Sequence, residues 1–585
     1  MMNGVSLISK VLHLYKATKM KNHLFLFFLL LMVETTFSQT FTNPIIRGGH
    51  PDPSICRVGD DYYIVNSTFE YFPALPIHHS KDLVNWELIG YGLHRPEQAN
   101  GVVNLVDVQQ DGGIHAPSIR YHDGVFYIIV TNVYSPKDRS KPAEMVNFII
   151  TAENPAGPWS EPHHIKGAPG IDPDIYFDED GKVWFVGTHD TGKPNANGIG
   201  EIWVQELDLD KWKLKGERYS IWRGACGGCC VEGPHIYKQH DKYYLLVAEG
   251  GTGRHHAVMM ACSDSLTGPY ESNPRNPILT SRHLSHKNWV HSTGHADLVE
   301  TTDGRWYMVA LGKRNDKDGG SNMGRETHLI PVEWEPTIAR WEEVRPEVWE
   351  PLHYMWPVAA PETGKIERSA TPLPFADKPQ HYNDAFADNF DGDKLDLEWN
   401  FRRVPKLNTY SLTAKQGYLR LYLQPATFSL REQYSAIGFH QKESEFEYAA
   451  KMLFEPKNDQ AEAGISLFLQ DDNYIHFTIE KKGNQNNLKL AVKERKKELA
   501  IVKQVALPQY EGNIIFKVVS KNGKYQYNYS LDGGSTIIPF ATTADNLLIC
   551  RTYIGANLGF YASSNGTPTN EFADFDWVRY QGFVH

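Results

Sequence analysis

What this sequence has little of narrows what the chain can be. No stretch approaches the roughly 20 consecutive apolar residues that a helix needs to cross a bilayer; the apolar run near the start covers only Leu24 to Val33. No membrane span is expected. Positive charge is short as well, with 59 Lys and Arg against 70 Asp and Glu and a formal net charge of −11. Nucleic-acid binding rests on a basic face that neutralises phosphates, so no nucleic-acid partner is expected. Cysteine is sparse at six in 585 residues, and a chain of this size does not depend on disulfides to fold. Three of the six sit together, at Cys226, Cys229 and Cys230. Zinc would want a second C-x-x-C pair or a histidine cluster beside the first. Neither is there, so a local disulfide or buried thiols are expected. Helical periodicity is scarce throughout.

Aromatic residues, by contrast, make up 12% of the chain, including 14 Trp and 30 Tyr. That suits β-structure and the stacking of sugars. The first residues read as an export signal. From Met20 the chain runs through Lys21 into the apolar stretch and then into small and polar residues at Phe37-Ser38-Gln39, which places cleavage after Ser38. The residue after Ser38 is Gln39 and not Cys, so no lipid anchor is expected, and the protein is predicted to be exported, periplasmic or extracellular. Residues 1–38 therefore stand outside the fold.

Five segments repeat one pattern: HPDPSICRVGDDYYIV, HAPSIRYHDGVFYIIV, DPDIYFDEDGKVWFVG, EGPHIYKQHDKYYLLV and GHADLVETTDGRWYMV. Each has a polar head, an apolar step, a turn and an aromatic-rich strand. Asp123-Gly124, Asp180-Gly181 and Asp303-Gly304 supply the hairpin turns. The anchors Pro53, Pro117, Pro173, Pro234 and Asp297 recur about every 60 residues, the length of four strands with their loops. The fold expected is all-β: a five-bladed β-propeller over 41–351, a Pro-rich and charged linker over 352–383, and a β-sandwich over 384–585. Alternating strands such as Tyr418 to Leu423 and Ala463 to Leu469 give the last domain a jelly-roll, concanavalin-like character.

In a propeller the first strand of each blade lines the channel, so the five polar heads converge. They are Asp52, His115, Asp172, Glu232 and His295. Three acids at what should be the least solvated position are hard to explain as a solvated surface. Glycosidic cleavage needs an acid to protonate the leaving oxygen and a second carboxylate on the opposite face. A third carboxylate nearby raises the pKa of one member and keeps it protonated near neutral pH.

The segments HPDPS, GIDPDIYFDEDG, VEGPHIYK, GHADLV and GRETHLIPVEW resemble glycoside hydrolase family 43 from about Asn43 to Pro351. The resemblance implies that Asp52 is the general base, Glu232 the general acid and Asp172 the pKa modulator. It implies inversion by a single displacement and exo-attack on terminal xylose or arabinofuranose of xylan-type hemicellulose. The substrate is then an oligosaccharide or polysaccharide, and no organic cofactor is implied. Tyr71, Phe69 and Phe72 fall where relatives have an aromatic platform at the first sugar site. Arg314 falls near the family's substrate-contacting Arg, and His115 replaces the Trp that many relatives have before Ala-Pro. His295 matches a channel His that often stands beside a bound calcium or water, so a structural calcium there is the one metal expected. The C-terminal half resembles the sandwich appended to β-xylosidases of the family. A β-xylosidase is the leading reading, with an α-L-arabinofuranosidase or a non-catalytic glycan-binding propeller as alternatives.

Overall fold

Five antiparallel sheets follow one another along the chain in a computed structural model, which describes residues 39–190, 200–225, 229–317, 319–336, 354–428 and 431–584. The expected export signal, 1–38, and Cys226 lie outside the described residues. The inner strands of the sheets are Ser54–Val58, Gly113–His122, Ile171–Phe177, Glu232–Gln239 and Val290–Glu300. Each touches the inner strand of the next sheet, and the fifth touches the first, closing a ring. The chain therefore forms a five-bladed propeller.

Alternation along the strands explains the ring. In Val125–Tyr134, Ile128 and Val130 pack with Ile77 and Leu93 of the first blade, while Ile129 packs with Ile175 and Phe185 of the third. Every blade presents two apolar faces in this way, and each gap between neighbouring blades holds its own buried cluster. The hairpins turn as their sequence demands. Asp123 and Gly124 have φ of 48° and 86° between the paired residues His122 and Val125, the two left-handed positions of a type I′ turn.

The expected linker starts too early. Met355–Ala359 pairs with Glu326–Pro336 as the outer strand of the fifth blade, and Phe41 and Leu373 continue the closure by backbone bonds to Thr371 and Gln39. An outer strand is paired on one side only and tolerates Pro357, which is why its composition reads as linker.

From Ala385 the chain forms two facing sheets of eight and six strands around one large apolar core that includes Trp399, Phe439, Phe477, Phe516 and Phe560. This sandwich is joined to the propeller by backbone as well as side chains. Phe401–Arg402 pairs with Tyr71–Phe72, and the backbone N–H of Arg325 donates to Tyr553 O at 3.0 Å.

Candidate active site

The heads of the five inner strands share a backbone feature. Asp52, Ala116, Asp172, Gly233 and His295 all have left-handed φ, from 40° to 57°. Beside four of them the strand pairing slips, between His115 and Ser118, Ile171 and Asp174, Glu232 and His235, and His291 and Ala296. Such bulges re-aim side chains, and a non-glycine residue held in this region costs about 1–3 kcal/mol. In the first and third blades the left-handed residue is the acid itself. In the second and fourth it is Ala116 or Gly233, and the polar residue comes one position earlier. Gly233 is required twice over, since a Cβ there would lie 2.9 Å from the His295 ring.

Asp52 is buried and tightly held. Ser67 Oγ donates to its Oδ2 at 2.7 Å and itself accepts the Ala116 N–H at 2.6 Å. Arg325 Nη1 donates to its Oδ1 at 3.0 Å, and His295 Nδ1 lies 3.9 Å from the same oxygen. Burial alone would raise the Asp52 carboxyl, but His295, Arg325 and Ser67 outweigh it and hold it below the usual carboxylate range. Because burial pushes His295 down to about 4, Arg325 is the cation that Asp52 faces at neutral pH.

The other two acids shift the opposite way. Burial pushes Glu232 up to about 7, with Asp52 adding to the effect and Arg325 opposing it. Asp172, which accepts the Gly233 N–H at 3.2 Å, is pushed well up by burial and by the Glu232 and Asp52 charges. One carboxylate that stays ionised beside a close pair that shares a proton is the arrangement of a paired base and acid. The channel beyond them is plugged. Arg120 donates to Asp174 at 2.6 Å and Asp297 at 2.9 Å, and His235, Tyr237 and Ser54 complete a buried network drawn from all five blades.

Residues 41–337 match the profile of the glycosyl hydrolases family 43, and residues 387–581 match that of the β-xylosidase C-terminal concanavalin A-like domain. The chain belongs to glycosyl hydrolases family 43. It is 37% identical to a xylosidase/arabinosidase of Butyrivibrio fibrisolvens over 92% of this chain and 98% of that one. It is 36% identical to a non-reducing end α-L-arabinofuranosidase of Bacteroides ovatus over 93% and 95%. Among solved structures, the xylan β-1,4-xylosidase of Bacillus halodurans superposes with a TM-score of 0.82 at 29% identity, covering 92% of this chain and all of that one. The protein is thus a glycoside hydrolase, and its substrate is a carbohydrate.

In this family 43 enzyme the structure brings Asp52, Asp172, Glu232, His115 and His295 together, and Phe69 with them. Phe69 makes an edge contact with His115 at 4.6 Å. It also stacks at 4.6 Å on Tyr553, a residue of the sandwich. Tyr71 goes elsewhere. It is buried against the sandwich, its hydroxyl near Leu469 O and the Arg402 guanidinium 5.8 Å from its ring centre. Phe72 packs in the cluster between the first two blades. Arg314 is also misplaced by the sequence reading. Its guanidinium is buried between Glu326, at 2.7 and 2.8 Å, and Glu443 of the sandwich, at 2.6 Å. The arginine at the acids is Arg325, in the Gly-Arg of GRETHL. Its Nε and Nη2 are buried and find no acceptor among the described residues.

Asp172, Glu232 and His295 bring one ligand atom each within 4.8 Å of one another. Calcium takes six to eight oxygen ligands. Here one donor is an imidazole nitrogen and the other two are carboxylates of the reacting centre, so the set is a poor match to a structural calcium. Cys229 and Cys230 are free thiols.

Proposed function

We propose that the protein is an exported, exo-acting β-xylosidase that removes terminal xylose from xylan-type oligosaccharides by inverting hydrolysis. The observation that carries this reading is the opposite displacement of Asp52 and Glu232 at one mouth of the channel, the first held ionised and the second pushed up to about 7. Glu232 gives its proton to the departing glycosidic oxygen as the bond to the anomeric carbon breaks. Asp52 takes a proton from the water that attacks that carbon from the other face. Asp172 adds negative charge beside Glu232 and so favours its protonated form. The free donors of Arg325 suit a hydroxyl of the terminal sugar, and Phe69 with Tyr553 forms the apolar wall on which its ring rests.

Xylose is favoured by the β-xylosidase type of the C-terminal domain and by the Bacillus halodurans likeness. The Bacteroides ovatus relative supports a second reading, an α-L-arabinofuranosidase. Export rests on the run from Met20 to Ser38. Release of 4-nitrophenol from its β-D-xylopyranoside and its α-L-arabinofuranoside, beside the Glu232→Gln variant, tests the proposal. Faster release from the xyloside, lost in the variant, is expected. Faster release from the arabinofuranoside would replace the first reading by the second, and no release from either by folded protein would overturn both. The anomer released first, read by NMR, tests inversion.

A further inference from the structure

Tyr553 faces a second space besides the acids. A cavity of about 470 Å³ opens between the propeller and the sandwich, within the range of about 300–1,000 Å³ that suits small ligands. Arg254 and Lys313 of the propeller and Arg551 of the sandwich line it, with Tyr553 as the wall shared with the reacting centre. Among the described lining residues the one acid is Asp111, and both of its carboxylate oxygens lie 3.3 Å from Gln470 Nε2. Three cations against one acid is the reverse of the chain's net charge of −11. Charge gathered in this way in a low-dielectric cleft concentrates ligands of the opposite sign.

Two further details point to a ligand. His291 is buried at the cavity, its Nδ1 bonded to Ser292 Oγ at 2.9 Å and its ring beside the Gly319 backbone. Burial, Arg254 and Lys313 together push it down to about 4, so at neutral pH it is a neutral ring suited to a sugar hydroxyl. Lys313 is fixed by its bond to Thr552 O at 2.5 Å, whereas Arg551 is exposed and Arg254 half-buried, each within reach of a group entering from solvent.

We propose that this cavity receives the leaving-group end of the substrate and that Arg254, Lys313 and Arg551 select a leaving group bearing a carboxylate, as a uronic-acid side group does. The inference rests on the exo-pentosidase reading above. A terminal sugar held between Arg325 and Phe69 leaves the rest of the chain to pass Tyr553, and Tyr553 is where the cavity begins. An arginine meets a carboxylate with paired, charge-assisted bonds.

The test compares xylobiose with xylobiose carrying a glucuronosyl group on its reducing-end sugar, as the ratio of kcat/KM within one preparation. The wild type is expected to prefer the acidic substrate, and the preference should shrink as salt is raised. In the Arg254→Gln/Arg551→Gln double variant the ratio should fall about tenfold, the size of one charge-assisted bond. Arg551→Gln alone, at an exposed position, should lower it in the same direction. Cleavage of xylobiose with no preference for the acidic form, or a preference that the variants leave unmoved, would overturn the inference and leave the pentosidase reading standing. Cleavage of neither substrate would overturn the inference together with the β-xylosidase reading.

Discussion

The guanidinium of Arg325 lies 4.5 Å from the centre of the Tyr553 ring. One residue belongs to the propeller and the other to the sandwich, and the same arginine holds the Asp52 carboxylate at 3.0 Å. The second domain thus reaches the acids through a side chain that touches both Phe69 and Arg325. It supplies one wall beside the acids.

Tyr553→Ala should accordingly behave as an active-site variant. It removes the ring that positions Phe69 and Arg325, and a misplacement of about 1 Å at a reacting centre can cost about 10²-fold, so kcat/KM on a 4-nitrophenyl pentoside should fall about tenfold or more in protein that remains folded. Unchanged kinetics would mean that the sandwich does not shape the sugar site.

Replacing the acids separates their roles. General acid–base groups contribute roughly 10²- to 10⁴-fold, so Asp52→Asn and Glu232→Gln should each lower turnover by that order while circular dichroism remains that of the wild type. A substrate with a good leaving group such as 2,4-dinitrophenol needs little protonation. It should recover much of the loss in Glu232→Gln and little of it in Asp52→Asn. Equal recovery in both would refute the assignment of acid and base.

The pH profile carries the same assignment. As the proposed acid, Glu232 acts protonated, and burial pushes it up to about 7, so kcat/KM should fall as pH rises through that region. As the proposed base, Asp52 acts ionised, and its depressed pKa puts the acidic limb below the ordinary carboxylate range. Asp172→Asn removes a negative neighbour, which should move the basic limb to lower pH. An unmoved limb would show that Asp172 does not tune Glu232.

The propeller was legible because its signal is repeated. Five copies of one hairpin, with Asp-Gly turns at fixed offsets, outweigh the ambiguity of any one strand, and the polar heads led directly to Asp52, Asp172 and Glu232. The one-residue offset between those heads was not legible. Asp52 and Asp172 stand immediately before their prolines and Glu232 one residue earlier, and the bulge that reconciles them is a property of strand pairing. Arg314 and Arg325 show a second limit. Both lie in blade five, Arg314 twelve residues and Arg325 one residue before Glu326, but only the three-dimensional partners, Glu443 for one and Asp52 for the other, tell the structural arginine from the one at the site. Gly324-Arg325 was a usable signal, because a left-handed glycine with φ of 71° is packed 2.5 Å from Gly555 N where a Cβ would stand, and it fixes the approach of the two domains. Tyr553 was beyond reach. Nothing local to a residue in a loop of the second domain announces that it faces an acid some 320 residues away, a separation evident from its own number and that of Glu232.

Arg314 offers a test of that distinction. Removing one partner of a buried ion pair costs about 3–5 kcal/mol, because the other charge is left without compensation. Arg314→Met would strand Glu326, although Arg47 still pairs with Glu443 at 2.9 Å. A loss of that order in urea denaturation is expected, with KM little affected in protein that remains folded. A raised KM at unchanged stability would return Arg314 to a substrate-contacting role.

The interface between the domains should also be sensitive to acid. His50, His78 and His440 meet there, with ring centres 4.9 and 5.5 Å apart along the chain of contacts, beside a Lys442–Glu398 ion pair at 2.9 Å. Burial pushes His50 down to about 4 despite the Glu398 charge, which acts the other way, while Lys442 adds to the depression. Burial likewise depresses His78 and His440, and each also feels His50 and Lys442. The sign follows from the unfolded chain, in which each imidazole titrates near 6.5 and so binds more protons than the folded one at any pH between the two values. Stability is therefore full above pH 6.5 and is lost as pH falls toward 4, by roughly 3 kcal/mol for His50 alone over that interval. Urea midpoints measured at pH 7 and pH 5 should differ in this direction. His50→Phe, which keeps the ring and removes the titration, should narrow the difference. An identical difference in the variant would place the acid sensitivity elsewhere in the molecule.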